Sequence, residues 1–186
     1  MDIVFSAFLL GILGPLILAT ILCNFLILGH PVFFRQQRRG LNNKLFWIIK
    51  FRSMMNTPLK TPHHHRLTPY GKFIRKYSID ETPSLWNVLK GDLSLIGPRP
   101  LMADFFSPNW RGAMRPGLTG LAQIKGRNAI GWRKKFRYDA FYLKHCSFKL
   151  DLYIFWKTIP LLLSAWGTHL PDHNDYFPKS SDDFLS

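Results

Sequence analysis

The chain has 186 residues, with 25 Lys and Arg against 11 Asp and Glu and a formal net charge of +14. The length suits one domain with a sizeable core, and so large a basic excess calls for an anionic partner: nucleic acid, anionic lipid or a phosphorylated substrate. The cysteines, Cys23 and Cys146, exclude a disulfide framework and carry no metal spacing. Aromatic residues are frequent and interleave with basic ones, as in Trp132-Arg-Lys-Lys-Phe-Arg-Tyr138. That mixture suits a membrane interface and equally a surface that stacks single-stranded RNA bases.

Ile3–Leu28 carries no charged residue. As a helix it would reach about 39 Å, enough to cross a bilayer core, and without a basic segment ahead of it a signal peptide is disfavoured. Gly11, Gly14 and Pro15 interrupt it, and a kink is expected at Pro15. Either the helix spans the membrane, or it turns at Gly14-Pro15 and leaves on the side it entered. Hydropathy and the Arg and Lys that follow the run favour the span. Beyond it, Pro31–Phe34 reads as a short strand, Arg35–Asn43 as a basic turn, and Phe46–Met54 as a strand or a short interfacial element. Asn56–Thr68, rich in Pro, Thr and His, reads as a loop. The run His63–His65 lies within it; successive loop residues rarely converge on one ion, so a polar loop is preferred to a metal site. Tyr70–Tyr77 and Thr82–Lys90 are helix candidates, the second ended by Gly91. Gly97–Pro100 and Arg115–Gly120 read as rigid turns, and Phe136–Lys144 as a helix. Asp151–Trp166 is apolar nearly all round and short for a span, which suits a helix lying in the interface or one buried in the core. The tail from Gly167 is polar.

The adjacent carboxylates Asp80 and Glu81 stand out in a basic chain. Asp80 could cap a helix with Pro83 in its first turn, or Ser78-x-x-Glu81 could form a capping box. Neither role excludes chemistry, because a carboxylate at a helix start stays ionised, as a nucleophile or metal ligand must.

Four ordered segments resemble the signature blocks of the bacterial sugar transferases, the monotopic phosphoglycosyl transferases. They are KFRSM (Lys50–Met54), IDETPSLWNVLKGDLSLIGPRPL (Ile79–Leu101), RPGLTGLAQIKGRNAI (Arg115–Ile130) and DAFYLKHCSFKLDL (Asp139–Leu152). The resemblance implies transfer of a sugar 1-phosphate from a UDP-sugar to undecaprenyl (polyprenyl) phosphate with release of UMP, as the first membrane step of polysaccharide or glycoprotein glycan assembly. It implies a covalent aspartyl-phosphosugar intermediate and a Mg²⁺ requirement. By match to the family's acidic pair, Asp80 is the nucleophile and Glu81 its partner, both near the metal. Lys50, Arg75, Arg99, Arg115 and Arg127 match basic positions that would meet phosphate, since arginine grips phosphate bidentately. Asp139 and Asp151 match acidic positions expected to orient basic residues or nucleotide; a surface carboxylate or a helix cap is the plainer reading of each.

The resemblance also implies a fold and a location. The expected fold is α+β and mainly helical with little strand. Residues 1–30 would be a membrane-inserted, re-entrant helix broken at Gly14-Pro15, residues 31–170 a compact cytosolic catalytic domain with interfacial amphipathic helices, and residues 171–186 a polar tail. This reverses the topology that hydropathy favours. The basic residues that usually precede the family's first helix are missing, and Gly14 replaces the usual serine. The expected location is the bacterial inner membrane, with the active site on the cytoplasmic face. Expected partners are the UDP-sugar, the acceptor lipid and membrane lipid, with no nucleic acid; a homodimer is left open. The rival function is a noncatalytic basic module that binds anionic membrane or RNA. It accounts for the charge but not for the acidic pair.

Overall fold

The apolar run forms one long helix, α1 (Asp2–Leu28), uninterrupted through Pro15. The expected break at Gly14-Pro15 is therefore corrected: no turn divides α1 into two segments. Its polarity is inverted. The buried residues are Ser6, Thr20 and Asn24, while Ile3, Val4, Phe8, Ile12, Leu18, Leu22 and Leu26 point outward. The Ser6 and Thr20 hydroxyls donate to the carbonyls of Ile3 and Leu16, and Asn24 Nδ2 donates to Val32 and Arg52 carbonyls at 3.0 Å each. At the other end Ser94 Oγ donates to Asp2 Oδ2 at 2.5 Å. Both ends of α1 thus touch the same globular body. The structure, a computed structural model, describes residues 2–56, 63–105, 108–126 and 129–164.

Next comes an antiparallel hairpin, β1 (Phe33–Arg39) and β2 (Leu45–Phe51). The strand β1 runs through Arg39, so Arg35–Arg39 is not the expected turn; the reversal is the 3₁₀ segment Leu41–Asn43. Asn42 and Asn43 take φ of 53° and 57° there, a region asparagine tolerates better than most residues. In the expected loop, His63–Arg66 forms a short helix, α2. The helix α3 (Pro69–Lys76) follows, with Thr68 Oγ1 accepting from the Gly71 N–H. Gly71 is required: a Cβ there would lie 1.9 Å from the Ser53 carbonyl oxygen.

The segment expected to start one helix at Thr82 instead forms a 3₁₀ helix, Ile79–Ser84, running into α4 (Leu85–Leu89). Two side chains fasten this unit to β2. Ser84 Oγ donates to the Ile49 carbonyl at 2.7 Å; Asn87, fully buried, accepts from the Ile49 N–H at 3.1 Å and donates to the Trp47 carbonyl at 2.8 Å. They satisfy backbone groups on the β2 edge that would otherwise need water. Ile48, Val88 and Leu93 close the core between them.

The turn after α4 leads into β3 (Ser94–Ile96), which pairs parallel with β4 (Gly117–Thr119), so part of the expected Arg115–Gly120 turn is strand. Their approach depends on glycine: a Cβ on Gly117 would lie 2.1 Å from the Gly97 nitrogen. The helices α5 (Leu121–Gly126), α6 (Trp132–His145) and α7 (Phe148–Ser164) pack round Leu121, Tyr142 and Ile154. On α7, Ile154 is fully buried whereas Leu152, Tyr153, Trp156, Ile159 and Leu163 are exposed. Phe155 meets Phe5 of α1 edge-on at 5.5 Å. The fold is mainly helical with little strand, as expected.

Candidate functional site

The carboxylate pair sits at the start of the 3₁₀ helix, just after Ser78, whose φ of 54° is left-handed. A non-glycine residue held there costs about 1 kcal/mol or more and tends to mark functional segments. Ser78 is the residue at the helix start, and its side chain makes no capping bond, so the capping-box reading is not realised.

Hairpin register supplies the cations. Lys50 pairs with Phe34, and Arg38 with Phe46, which places Lys50 and Arg38 on one face of the hairpin. Lys50 Nζ lies 2.5 Å from Glu81 Oε1. From α3, one turn beyond Gly71, Arg75 donates its Nε–H to Ser53 Oγ at 2.7 Å and faces the charges of both Asp80 and Glu81. Arg38 is pushed down to about 10, chiefly by burial, then by the neighbouring Arg99, with Glu81 opposing. It stays a cation at neutral pH. Arg38 is fixed by bonds to Gln36 Oε1 at 2.6 Å and the Pro100 carbonyl at 3.2 Å.

Burial raises Asp80 to about 6 and repulsion from Glu81 adds to the rise, against the pull of Lys50 and Arg75. A carboxylate so placed is ionised at neutral pH yet poorly solvated, which suits a nucleophile. Asp80 and Glu81 are hard oxygen donors, and Mg²⁺ commonly takes one or two carboxylates together with substrate phosphate. The pair fits that ion, and its mutual repulsion is what a divalent cation would relieve. No cluster of three His, Cys, Asp or Glu suited to a metal occurs among the described residues.

Arg99 projects into solvent between the buried Pro98 and Pro100. Its carbonyl accepts from Arg111 Nη2 at 2.9 Å, and the same nitrogen lies 2.7 Å from Asp139 Oδ2. Arg111 and Asp139 are almost wholly buried, and the Arg111 guanidinium stacks 4.9 Å from the Phe136 ring centre. Burial lifts Asp139 to about 6, against the pull of Arg111 and Lys135. Asp139 therefore orients a basic residue, and through it the turn that carries Arg99.

The other expected residues are placed differently. Arg115 is exposed, and Arg127 lies outside the described residues. Asp151 accepts from Tyr142 Oη at 2.6 Å and faces Asp2, away from the Asp80 group as far as the described contacts go. Lys50 and Arg75 do gather around the acidic pair, while Arg99 is exposed and its charge acts on Arg38. Sequence reasoning missed Arg38 and Arg111. Strand alternation over Arg35–Arg39 could have found Arg38; nothing in the spacing singles out Arg111.

A family model described as bacterial sugar transferase matches residues 1–165. Among curated proteins, the chain is 45% identical over 181 residues to an uncharacterized sugar transferase, EpsL, of Bacillus subtilis, covering 92% of this chain and 90% of that protein. It is 38% identical to the UDP-N-acetylgalactosamine-undecaprenyl-phosphate N-acetylgalactosaminephosphotransferase of Aeromonas hydrophila, over 90% of this chain but 44% of that protein. It is 37% identical to the UDP-glucose:undecaprenyl-phosphate glucose-1-phosphate transferase of Caulobacter vibrioides, over 89% of this chain and 69% of that protein.

Proposed function

The chain belongs to the bacterial sugar transferase family, and from that premise we propose that it moves a sugar 1-phosphate from a UDP-sugar to undecaprenyl phosphate. The observation that carries the reading is the half-buried Asp80 and its neighbour Glu81, held in a rigid 3₁₀ turn and walled by Lys50, Arg75 and Arg38. An Asp80 oxygen attacks the sugar-bearing phosphorus of the donor. The bond from that phosphorus to the UMP oxygen breaks, its electron pair leaves with UMP, and a phosphosugar remains on Asp80. A phosphate oxygen of the acceptor lipid then attacks the same phosphorus, and the Asp80 carboxylate is regenerated.

Each neighbour has a role in this scheme. Lys50 and Arg75 reduce the repulsion between a carboxylate and an anionic donor. Arg38 and Arg99 present guanidinium groups to the diphosphate. Asp139 holds Arg111, and Arg111 the Arg99 turn. Bound Mg²⁺, held by Asp80 and Glu81, would neutralise phosphate charge as the phosphoryl group transfers.

The outward apolar surfaces of α1 and α7 support a membrane location. With both ends of α1 on the globular body, the helix lies against that body with its apolar side in lipid and both its ends on the cytoplasmic face. The test is UMP release by detergent-solubilised protein over a panel of UDP-sugars, with undecaprenyl phosphate and Mg²⁺ each omitted in turn. Protein given donor alone should gain the mass of one phosphosugar, and Asp80→Asn should gain none. Turnover that persists in Asp80→Asn, or without the acceptor lipid, would overturn the reading.

A further inference from the structure

The last turn of α1 contains no basic residue, yet a buried cation meets the carbonyls where the chain leaves it. Arg52, the first residue after β2, is 7% exposed. Its Nη2 donates to the carbonyls of Leu28 and Gly29, the latter at 2.5 Å, and its Nη1 donates to that of His30 at 3.1 Å. Among the described residues no carboxylate pairs with it. A helix leaves its last carbonyls unbonded, and beside lipid there is little water to satisfy them. The guanidinium does so, and it complements the negative end of the helix dipole.

The backbone of Arg52 is tied to α1 as well. Its N–H donates to the Val32 carbonyl at 2.9 Å, and the fully buried Asn24 of α1 donates to both the Val32 and the Arg52 carbonyls. Thus α1, the entry to β1 and the exit from β2 meet at one point. The residues flanking Arg52 face the other way, toward the acidic pair. Lys50 reaches Glu81, and the buried Ser53 accepts from Arg75, whose charge acts on Asp80 and Glu81. Three residue steps of extended chain cover about 10 Å. Within that length the chain holds both the end of the membrane helix and the cations of the site.

We infer that Arg52 is a positioning residue for the second half of the reaction: it fixes the height of Asp80 relative to the lipid along the outer side of α1. The inference rests on the transferase reading and assigns a residue to one of its two steps. The donor is water-soluble and reaches Asp80 from solution, whatever that height. The acceptor phosphate is tied to a chain dissolved in the bilayer, so the lipid sets its height. Its oxygen must come within about 3–3.5 Å of the phosphorus on Asp80 before that bond forms and the Asp80 carboxylate leaves, and a misplacement of about 1 Å can cost about a hundredfold. Loosening the Arg52 clamp therefore slows the attack by the acceptor and spares formation of the phosphosugar on Asp80.

The two halves are timed separately by mass spectrometry of the quenched full chain in nanodiscs, using the UDP-sugar that gives UMP release in the panel above. Without acceptor and with excess donor, the rise of the phosphosugar label gives the first rate constant. With undecaprenyl phosphate in the nanodisc and donor limiting, decay of the label gives the second. Both are first-order constants, so the fraction of folded protein does not enter them. Arg52→Gln, and Asn24→Ala from the α1 side, should form the label within about twofold of the wild-type rate and lose it at least tenfold more slowly. Arg52→Lys should recover part of the loss. With geranyl phosphate in detergent, an acceptor held at no fixed height, the variants and wild type should lose label within about twofold of one another. Equal slowing of formation and decay would reduce Arg52 to a structural role and overturn the inference. Unchanged decay in both variants, or the same slowing with geranyl phosphate, would overturn it too. Should Arg52→Gln yield no labelled protein, Arg52→Lys and Asn24→Ala are judged by the same decay criterion. A wild type that forms no label sinks the transferase reading, and this inference with it; a wild type that labels while the variants decay normally sinks the inference alone.

Discussion

Replacing the proposed nucleophile should make the protein more stable. Burial and Glu81 raise Asp80 from 3.8 to about 6, so ionised Asp80 is held at a cost in the folded state. At about 1.4 kcal/mol per pKa unit, the cost approaches about 3 kcal/mol. Its sign follows from the folded pKa lying above the unfolded one. The cost is absent below 3.8, grows as pH rises toward about 6, and is complete above that. Asp80→Asn removes the charge at similar volume. Unfolding followed in detergent and EDTA at about pH 7.5 should place the variant above wild type, by roughly 6–12 °C at most for a chain of this size. By about pH 4 the advantage should vanish, because wild-type Asp80 is then protonated as well. Adding Mg²⁺ should stabilise wild type more than the variant, since the ion binds a charge the variant lacks. Equal stability at neutral pH, or an advantage that persists in acid, would refute the claim that Asp80 is a costly buried carboxylate. A variant both more stable and inactive fits a site at which stability has been given up for reactivity.

The same ionisation should appear in the kinetics: kcat/KM should rise with pH through about 6 and level off above it, read from UMP release in buffers of constant ionic strength. Asp139→Asn leaves Arg111 charged and buried without its partner; it should cost about 3–5 kcal/mol in denaturant titration and lower turnover by loosening the turn that carries Arg99. For topology, Asp2→Cys in a Cys23→Ser, Cys146→Ser background should escape a membrane-impermeant thiol reagent in intact cells and react after lysis; labelling of intact cells would place that end outside.

What the sequence disclosed depended on how locally each feature is encoded. The α3 helix was legible from its own residues, and so was the stop at Gly91, where φ is +80°. The β1 strand was legible only at its start, Phe33–Phe34, because Arg35, Arg38 and Arg39 mimic a polar turn and only pairing with β2 makes them a strand. The three-residue strands β3 and β4 are too short to show a period; glycine-dependent contact between distant segments creates them. Within the site, the acidic pair stood out by sequence and resemblance. The Lys50–Glu81 contact and the Arg111–Asp139 pair join residues far apart in the chain, and no spacing rule reaches that far.

The first helix shows why hydropathy and charge bias were poor guides to topology here. A helix on the surface of a soluble domain turns its apolar stripe inward. In α1, Ser6, Thr20 and Asn24 face the protein with their donors bonded, and the large aliphatic and aromatic side chains face away. Leaving one such side chain in water forgoes about 1.5–3 kcal/mol, so a row of them calls for an apolar solvent along that side. A helix that crossed the bilayer would carry Asp2 to the far side, out of reach of Ser94, which bonds it here. The positive residues after α1 argued for a span only while they counted as free flanking charge. Arg38 is bonded to Gln36 and the Pro100 carbonyl, and Arg39 to Ala103, so their place in the chain is accounted for by the contacts of the hairpin. With that bias discounted, the bonds at both ends of α1 weigh more than hydropathy, and they favour a helix that lies against the catalytic domain with one side in lipid.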